Sequence, residues 1–222
     1  MIGAHPALLR PGTMLHDHHA FMCTNGEMST YEEAKLADTR HPSSPQGEPR
    51  MVKGSDLFVS ALENEGVEYI FGVPGEEVLQ IWESLRKSKI KLVTTRTEWG
   101  AVLMAAAHYR LTGRTGVCIA TCGPGALNFA NGAGYALLGG FSVVMITGEK
   151  PIKSTPQAGF QSVDARNVMK QVTKLARQIG SSRLIPTMVR EAFRVAQEEK
   201  PGPVHLVVPE DIAAEECQEV EL

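Results

Sequence analysis

Lys91-Leu-Val-Thr-Thr-Arg-Thr-Glu98-Trp-Gly-Ala-Val-Leu-Met-Ala-Ala-Ala107 reads as a buried strand that turns directly into a helix. Lys91 to Thr95 is short, apolar and β-branched, whereas the residues after Glu98 are small and apolar and run as a helix to about Leu111. A second buried strand, Gly116-Val-Cys-Ile-Ala-Thr121, and the turn Gly123-Pro-Gly125 follow at once. Glu98 therefore opens a helix at a strand-to-helix junction. A carboxylate placed there is pulled two ways, because burial favours its neutral form and the positive end of the helix favours its ionised form. Such a competition suits an acid that shares a proton with a bound heterocycle. An isolated glutamate at a helix start is ordinarily only a dipole partner worth ~0.3–1 kcal/mol, so the surrounding motifs must decide its role.

Outward from that stretch the alternation continues. Lys53 to Glu65 places Leu57, Phe58, Ala61 and Leu62 on one helical face, and Gly66 stops it. Val67 to Phe71 reads as a strand ending in Gly72-Val-Pro-Gly75, followed by a helix over Glu76 to Lys87. A helix to about Leu138 follows Gly123-Pro-Gly125, then a strand at Ser142 to Thr147 and a weaker one at Thr173 to Gln178. Pro186 to Glu199 is a helix with proline in its first turn, and Pro203 to Val208 a final strand. Strands that alternate with helices and are apolar on both faces predict an α/β fold, a doubly wound, mainly parallel sheet with helices on both faces. Ligands of such sheets sit beyond the carboxyl ends of the strands. Gly72-Val-Pro-Gly75, the loop before Glu98 and Thr121-Cys-Gly-Pro-Gly125 all fall there.

The 222 residues are 43% hydrophobic and 21% charged, enough for one domain with a tail. A net charge of -3 without any basic run argues against nucleic acid and anionic membranes as partners. Cys23, Cys118, Cys122 and Cys217 form no CxxC pair or regular framework, which fits a reducing compartment, and the cytoplasm is expected. Cys118 and Cys122 read as buried small hydrophobes, and His108 and His205 as core or interface residues. Trp82 and Trp99 read as packing residues, Trp99 beside the cleft. Residues 1–50 hold five of the seven histidines and no sustained apolar period, and are expected to be a flexible extension. Within them His16-Asp17-His18-His19 is more simply a solvated cluster than a metal site, and no metal ligand is assigned in the chain. The domain is expected over 51–214, with 215–222 an acidic tail or the start of a linker.

Several chemistries lack support. Gly132-Ala-Gly134-Tyr-Ala-Leu-Leu-Gly139 misses the dinucleotide spacing, and no GxxxxGK[ST], GxSxG or HExxH occurs. What does occur is an ordered set: Phe71-Gly-Val-Pro-Gly75, Arg96-Thr-Glu98, Ala120-Thr-Cys-Gly-Pro-Gly-Ala-Leu-Asn128, Ile146-Thr-Gly-Glu-Lys-Pro151, Phe160-Gln161 and Lys200-Pro-Gly-Pro-Val204. In order and spacing it resembles the pyrimidine-binding, N-terminal domain of thiamine-diphosphate-dependent enzymes, especially the acetolactate synthase large subunit and its relatives.

The resemblance implies a site. Glu98 would be the glutamate that hydrogen-bonds N1′ of the aminopyrimidine and so promotes loss of the thiazolium C2 proton. Thiamine diphosphate would then serve as electron sink for decarboxylation or carboligation of a small 2-keto acid. Val73, Pro74 and Gly75 would line the pyrimidine side; Thr121, Gly123, Pro124 and Gly125 would wall it; Asn128 would lie near the ring or a subunit contact. Phe160 and Gln161 would form a substrate or subunit contact. This chain departs from the family pattern at Thr97, Trp99 and Ala107-His108-Tyr-Arg110, which leaves the substrate undefined.

Magnesium is expected only on a diphosphate-binding domain announced by Gly-Asp-Gly, which these 222 residues lack. FAD is an optional structural cofactor among the relatives. The chain is thus expected to be half a site, inactive alone, whose other half comes from a homo-oligomer or a full-length relative. Three accounts fit: part of a longer acetolactate-synthase-like enzyme, the pyrimidine-binding subunit of a two-chain decarboxylase, or a non-catalytic dimerisation or regulatory domain.

Overall fold

The computed structural model describes residues 50–153, 159–220 and 222. Along the chain run β1 (Met51–Lys53), α1 (Gly54–Asn64), β2 (Tyr69–Gly72), a 3-10 turn at Glu76–Val78, α2 (Leu79–Leu85), β3 (Lys91–Thr94), α3 (Glu98–Thr112) and β4 (Gly116–Ala120). Then come α4 (Pro124–Gly139), β5 (Val143–Glu149), α5 (Ala165–Met169), β6 (Leu175–Gln178), α6 (Ile185–Gln197), β7 (Pro203–Pro209), α7 (Glu210–Ala214) and β8 (Glu216–Gln218). The flexible extension expected over residues 1–50 lies outside the described residues except for Arg50, whose carbonyl accepts the Glu219 N–H at 2.8 Å, and the histidine cluster lies outside them too.

Six strands pair in the order β3-β2-β4-β5-β7-β6, every neighbouring pair parallel. Period-2 alternation divides the inner strands between two cores. Val117, Ile119, Val144, Ile146, Val204 and Leu206 face one core, against α1, α2, α6 and α7. Cys118, Ala120, Val143 and Met145 face the other, against α3, α4 and α5. The sheet is therefore doubly wound, as its apolar strands predict. Gly116 lets α3 lie close on β4, because a Cβ there would stand 2.0 Å from the Ala105 carbonyl oxygen.

His205, fully buried in β7, pairs with Met145 and Ala176, and its Nε2 lies 2.9 Å from Thr147 Oγ1. Burial pushes its pKa down to about 4, so it is a neutral core histidine. A separate antiparallel pair joins β1 to β8 through Met51–Gln218, Val52–Cys217 and Lys53–Glu216. The segment 215–222, expected as an acidic tail or the start of a linker, contains a paired strand. Among the described residues no helix is long and apolar enough to cross a membrane.

The chain passes from β2 to β3 on one side and then returns to add β4 on the other, so the strand order reverses at β2. A crevice beyond the carboxyl ends of β2 and β4 is where such a sheet binds ligands.

Candidate functional site

Three loops meet at that crevice. β2 runs into Val73, half-buried, and Pro74, exposed. Its neighbour β3 is tied in by the Thr95 N–H, which donates to the Gly72 carbonyl at 2.9 Å. The Thr95 hydroxyl donates to the Thr97 carbonyl at 2.9 Å, and Thr97 caps α3 by accepting the Gly100 N–H at 3.2 Å. Glu98 is thereby fixed in the first turn of α3, next to the unpaired N–H groups that favour an anion.

Its surroundings differ from the sequence expectation. β3 is an edge strand with most of its residues exposed, and Glu98 is half-buried. Leu92 and Val93 look like buried strand residues, but the sheet covers β3 on one side only. Trp99 is likewise 45% exposed rather than packed, and it lines a groove with Leu103, Asn131, Gly132 and Tyr135. His108 is half-buried against Tyr69 and Phe71, at ring separations of 6.0 and 6.2 Å.

Glu98 meets the third loop. Its Oε2 accepts a 2.8 Å hydrogen bond from Asn128 Nδ2 on α4. A Cβ on Gly125 would stand 3.5 Å from Glu98 Oε1 and 2.8 Å from Thr121 Cγ2. A Cβ on Gly75 would collide with Thr121 Cβ at 2.3 Å. Two bare Cα positions, from the loops after β2 and β4, therefore flank Thr121, and one of them adjoins the carboxylate. Gly123 adopts φ +55, and a Cβ there would also lie 2.3 Å from the Gln161 carbonyl oxygen. Glycine is required twice over at that position. Pro124 opens α4 and is exposed.

Gln161 has a left-handed backbone at φ 59, and its carbonyl accepts from Cys122 Sγ at 3.6 Å. It thus lies against the Cys122–Gly123 turn of its own chain, while Phe160 is 71% exposed. Sequence-selected residues from all three loops, and Gln161, converge at one end of the sheet.

The sequence reading missed the charged group beneath them. Glu77 is 2% exposed, accepts a hydrogen bond from the Thr121 hydroxyl, and has Lys150 Nζ 2.5 Å from its Oε1. Burial alone would raise its pKa, but Lys150 and then Thr121 outweigh that and hold it at about 2. Burial, reinforced by the Glu77 charge, pushes the Cys122 thiol up to about 12. Burial also raises Glu149. Nothing in the turn that carries Glu77 signals it, because its partners Thr121 and Lys150 follow two other strands, β4 and β5.

Residues 52–168 match the family model of the thiamine pyrophosphate enzyme N-terminal TPP binding domain. The chain belongs to this family. Curated relatives of this TPP-enzyme domain include acetolactate synthase 2, chloroplastic, of Nicotiana tabacum, 38% identical over 93% of the chain and 32% of the relative. A probable acetolactate synthase large subunit of Methanocaldococcus jannaschii is 37% identical over 72% of the chain and 27% of the relative. The catabolic acetolactate synthase of Raoultella terrigena is 36% identical over 76% and 30%. The chain spans about a third of the length of the Nicotiana relative and about a quarter of that of the archaeal one, at 32% and 27%.

Proposed function

We propose that this chain supplies the pyrimidine-binding half of a thiamine-diphosphate-dependent site acting on a small 2-keto acid, by decarboxylation or carboligation. The observation that carries the reading is the Glu98 carboxylate, fixed at a helix start, bonded to Asn128 and adjoining the bare Cα of Gly125. The bare Cα lets the Thr121 methyl and the carboxylate lie close together, and in this reading the edge of a flat heterocycle meets the carboxylate beside them. When bound, thiamine diphosphate supplies the electron sink for carbon dioxide loss.

Within this site Glu98 holds and exchanges a proton at its carboxyl oxygen toward the pyrimidine N1′. Asn128 orients the carboxylate through Oε2. Val73, Pro74 and Gly75 line the pyrimidine side of the cleft, and Thr121, on which Gly75 packs, walls it together with Gly123, Pro124 and Gly125. Phe160 and Gln161 border the substrate or a neighbouring subunit.

The diphosphate end, with its magnesium, is assigned to a domain outside these 222 residues, supplied by a homo-oligomeric partner or a full-length relative. The domain is proposed over 51–214, with β8 of the following segment paired back on β1, and the buried free thiols of Cys118, Cys122 and Cys217 support a reducing compartment such as the cytoplasm. The chain alone is proposed to be inactive. To test this, the chain is combined with a diphosphate-binding domain from an acetolactate synthase, thiamine diphosphate, magnesium and a panel of 2-keto acids. Carbon dioxide release only from the mixture is expected. A stable complex that binds the cofactor yet releases none from any keto acid contradicts the reading.

A further inference from the structure

The crevice contains a buried ion pair to which the reading above gives no role. Glu77 leaves the loop after β2 and lies beneath the site, 2% exposed. Lys150 comes from the end of β5, its Nζ 2.5 Å from Glu77 Oε1. The hydroxyl of Thr121, from the end of β4, donates to the other carboxylate oxygen, Oε2. Gly148 permits this approach, since a Cβ there would stand 2.7 Å from the Glu77 carbonyl oxygen and 2.8 Å from its Cβ. One carboxylate thus ties together the ends of β2, β4 and β5.

Thr121 is the link between that tie and the site. With its hydroxyl committed to Glu77, its Cγ2 faces Gly125, where a Cβ would come within 2.8 Å, and its Cβ faces Gly75. Threonine has few χ1 states, so fixing the hydroxyl fixes the methyl. Rotating the side chain would carry that methyl away from the wall beside Glu98. A solvent-exposed ion pair would not hold such a choice, because water competes for both partners. Here one partner is almost wholly buried.

The geometry points to Glu77 as a positioning residue: held by Lys150, it fixes the Thr121 rotamer and so sets the wall against which the aminopyrimidine packs. This rests on the pyrimidine-binding reading for the identity of the ligand, and on the apo geometry alone for the clamp.

The test uses the full chain labelled at threonine methyl groups. Side-chain couplings of Thr121 report its rotamer, and titration with 4-amino-2,5-dimethylpyrimidine, followed at the Gly125 and Asn128 amides, reports the wall. Glu77→Met should average the Thr121 couplings and weaken fragment binding about fivefold, the worth of one positioning hydrogen bond. Glu77→Gln, which keeps an acceptor, should restore the single rotamer. Should Glu77→Met leave a buried charge and fail to fold, Glu77→Met/Lys150→Met removes both charges and carries the same expectation. A single Thr121 rotamer in the folded double variant overturns the proposal, as does unchanged fragment affinity once the rotamer is averaged. Absence of fragment binding by the wild-type chain counts against the pyrimidine reading, and the couplings still decide the clamp.

Discussion

Replacing Lys150 by methionine isolates the energetics of the buried ion pair. Lys150→Met keeps the aliphatic stem but leaves the Glu77 carboxylate, 1% exposed at its side chain, without its counter-ion. Removing one partner of a buried pair costs ~3–5 kcal/mol. Because the Lys150 side chain is 18% exposed, water reaches the site and the lower end applies, about 3 kcal/mol. For a domain of this size that lowers Tm by roughly 6–12 °C.

The pH dependence separates this cause from simple loss of packing. In the native chain Glu77 has its pKa lowered from 4.5 to about 2, so its stabilisation is present in full above pH 4.5 and is lost as pH falls towards 2. In Lys150→Met burial, the largest influence on Glu77, is no longer opposed by Lys150 and the folded pKa rises from its native level. The variant is then penalised increasingly as pH rises through that range. The Tm difference, measured by calorimetry, should be largest at pH 7 and shrink towards pH 4. The double replacement Glu77→Met/Lys150→Met should recover most of the loss, since exchanging a whole buried pair for apolar groups is often neutral. A Tm difference independent of pH, or a double variant as unstable as the sum of the singles, would mean that no uncompensated buried charge is at work.

Other consequences follow from the same geometry. His205, with a folded pKa of about 4 against 6.5, favours the unfolded chain as pH falls through that interval; His205→Gln should flatten the loss of stability between pH 6.5 and 4 in urea titrations. Gly123→Ala combines φ +55 with a 2.3 Å clash against Gln161 and should cost about 2 kcal/mol or more, read as a lowered urea midpoint. Gly125→Ala crowds the Thr121 methyl at 2.8 Å and touches Glu98 Oε1 at 3.5 Å, and should cost about 1 kcal/mol of stability while abolishing aminopyrimidine binding. Cys118 and Cys122, buried and with raised thiol pKa, should escape iodoacetamide in the native chain and react on unfolding, as mapped by mass spectrometry.

The sheet was legible because β4, β5 and β7 are apolar on both faces and separated by amphipathic or small-residue helices. β6 showed weakly, as expected of an edge strand with residues such as Arg177 and Gln178. β1 and β8 were not legible, since each is three residues with a largely exposed pattern and exists only by pairing with the other. Strand order is set by tertiary packing, which is why Lys91 to Thr94 looked buried and Glu98 proved half-buried at the sheet edge. The glycines around Thr121 could be picked from the turns they mark. The Glu77–Thr121–Lys150 tie could not, because a glutamate in a polar turn carries no local sign that its partners lie on two other strands.

Glu98 is proposed as the proton partner of the cofactor's pyrimidine ring. Its most direct test is the exchange of the thiazolium C2 proton of bound thiamine diphosphate, followed by quenched-flow NMR in the complex with a diphosphate-binding domain. Glu98→Gln preserves the shape and the contact to Asn128 but removes the exchangeable carboxyl proton. Exchange slowed by ~10²–10⁴-fold with the cofactor still bound is expected, whereas an unchanged exchange rate would contradict that role for Glu98.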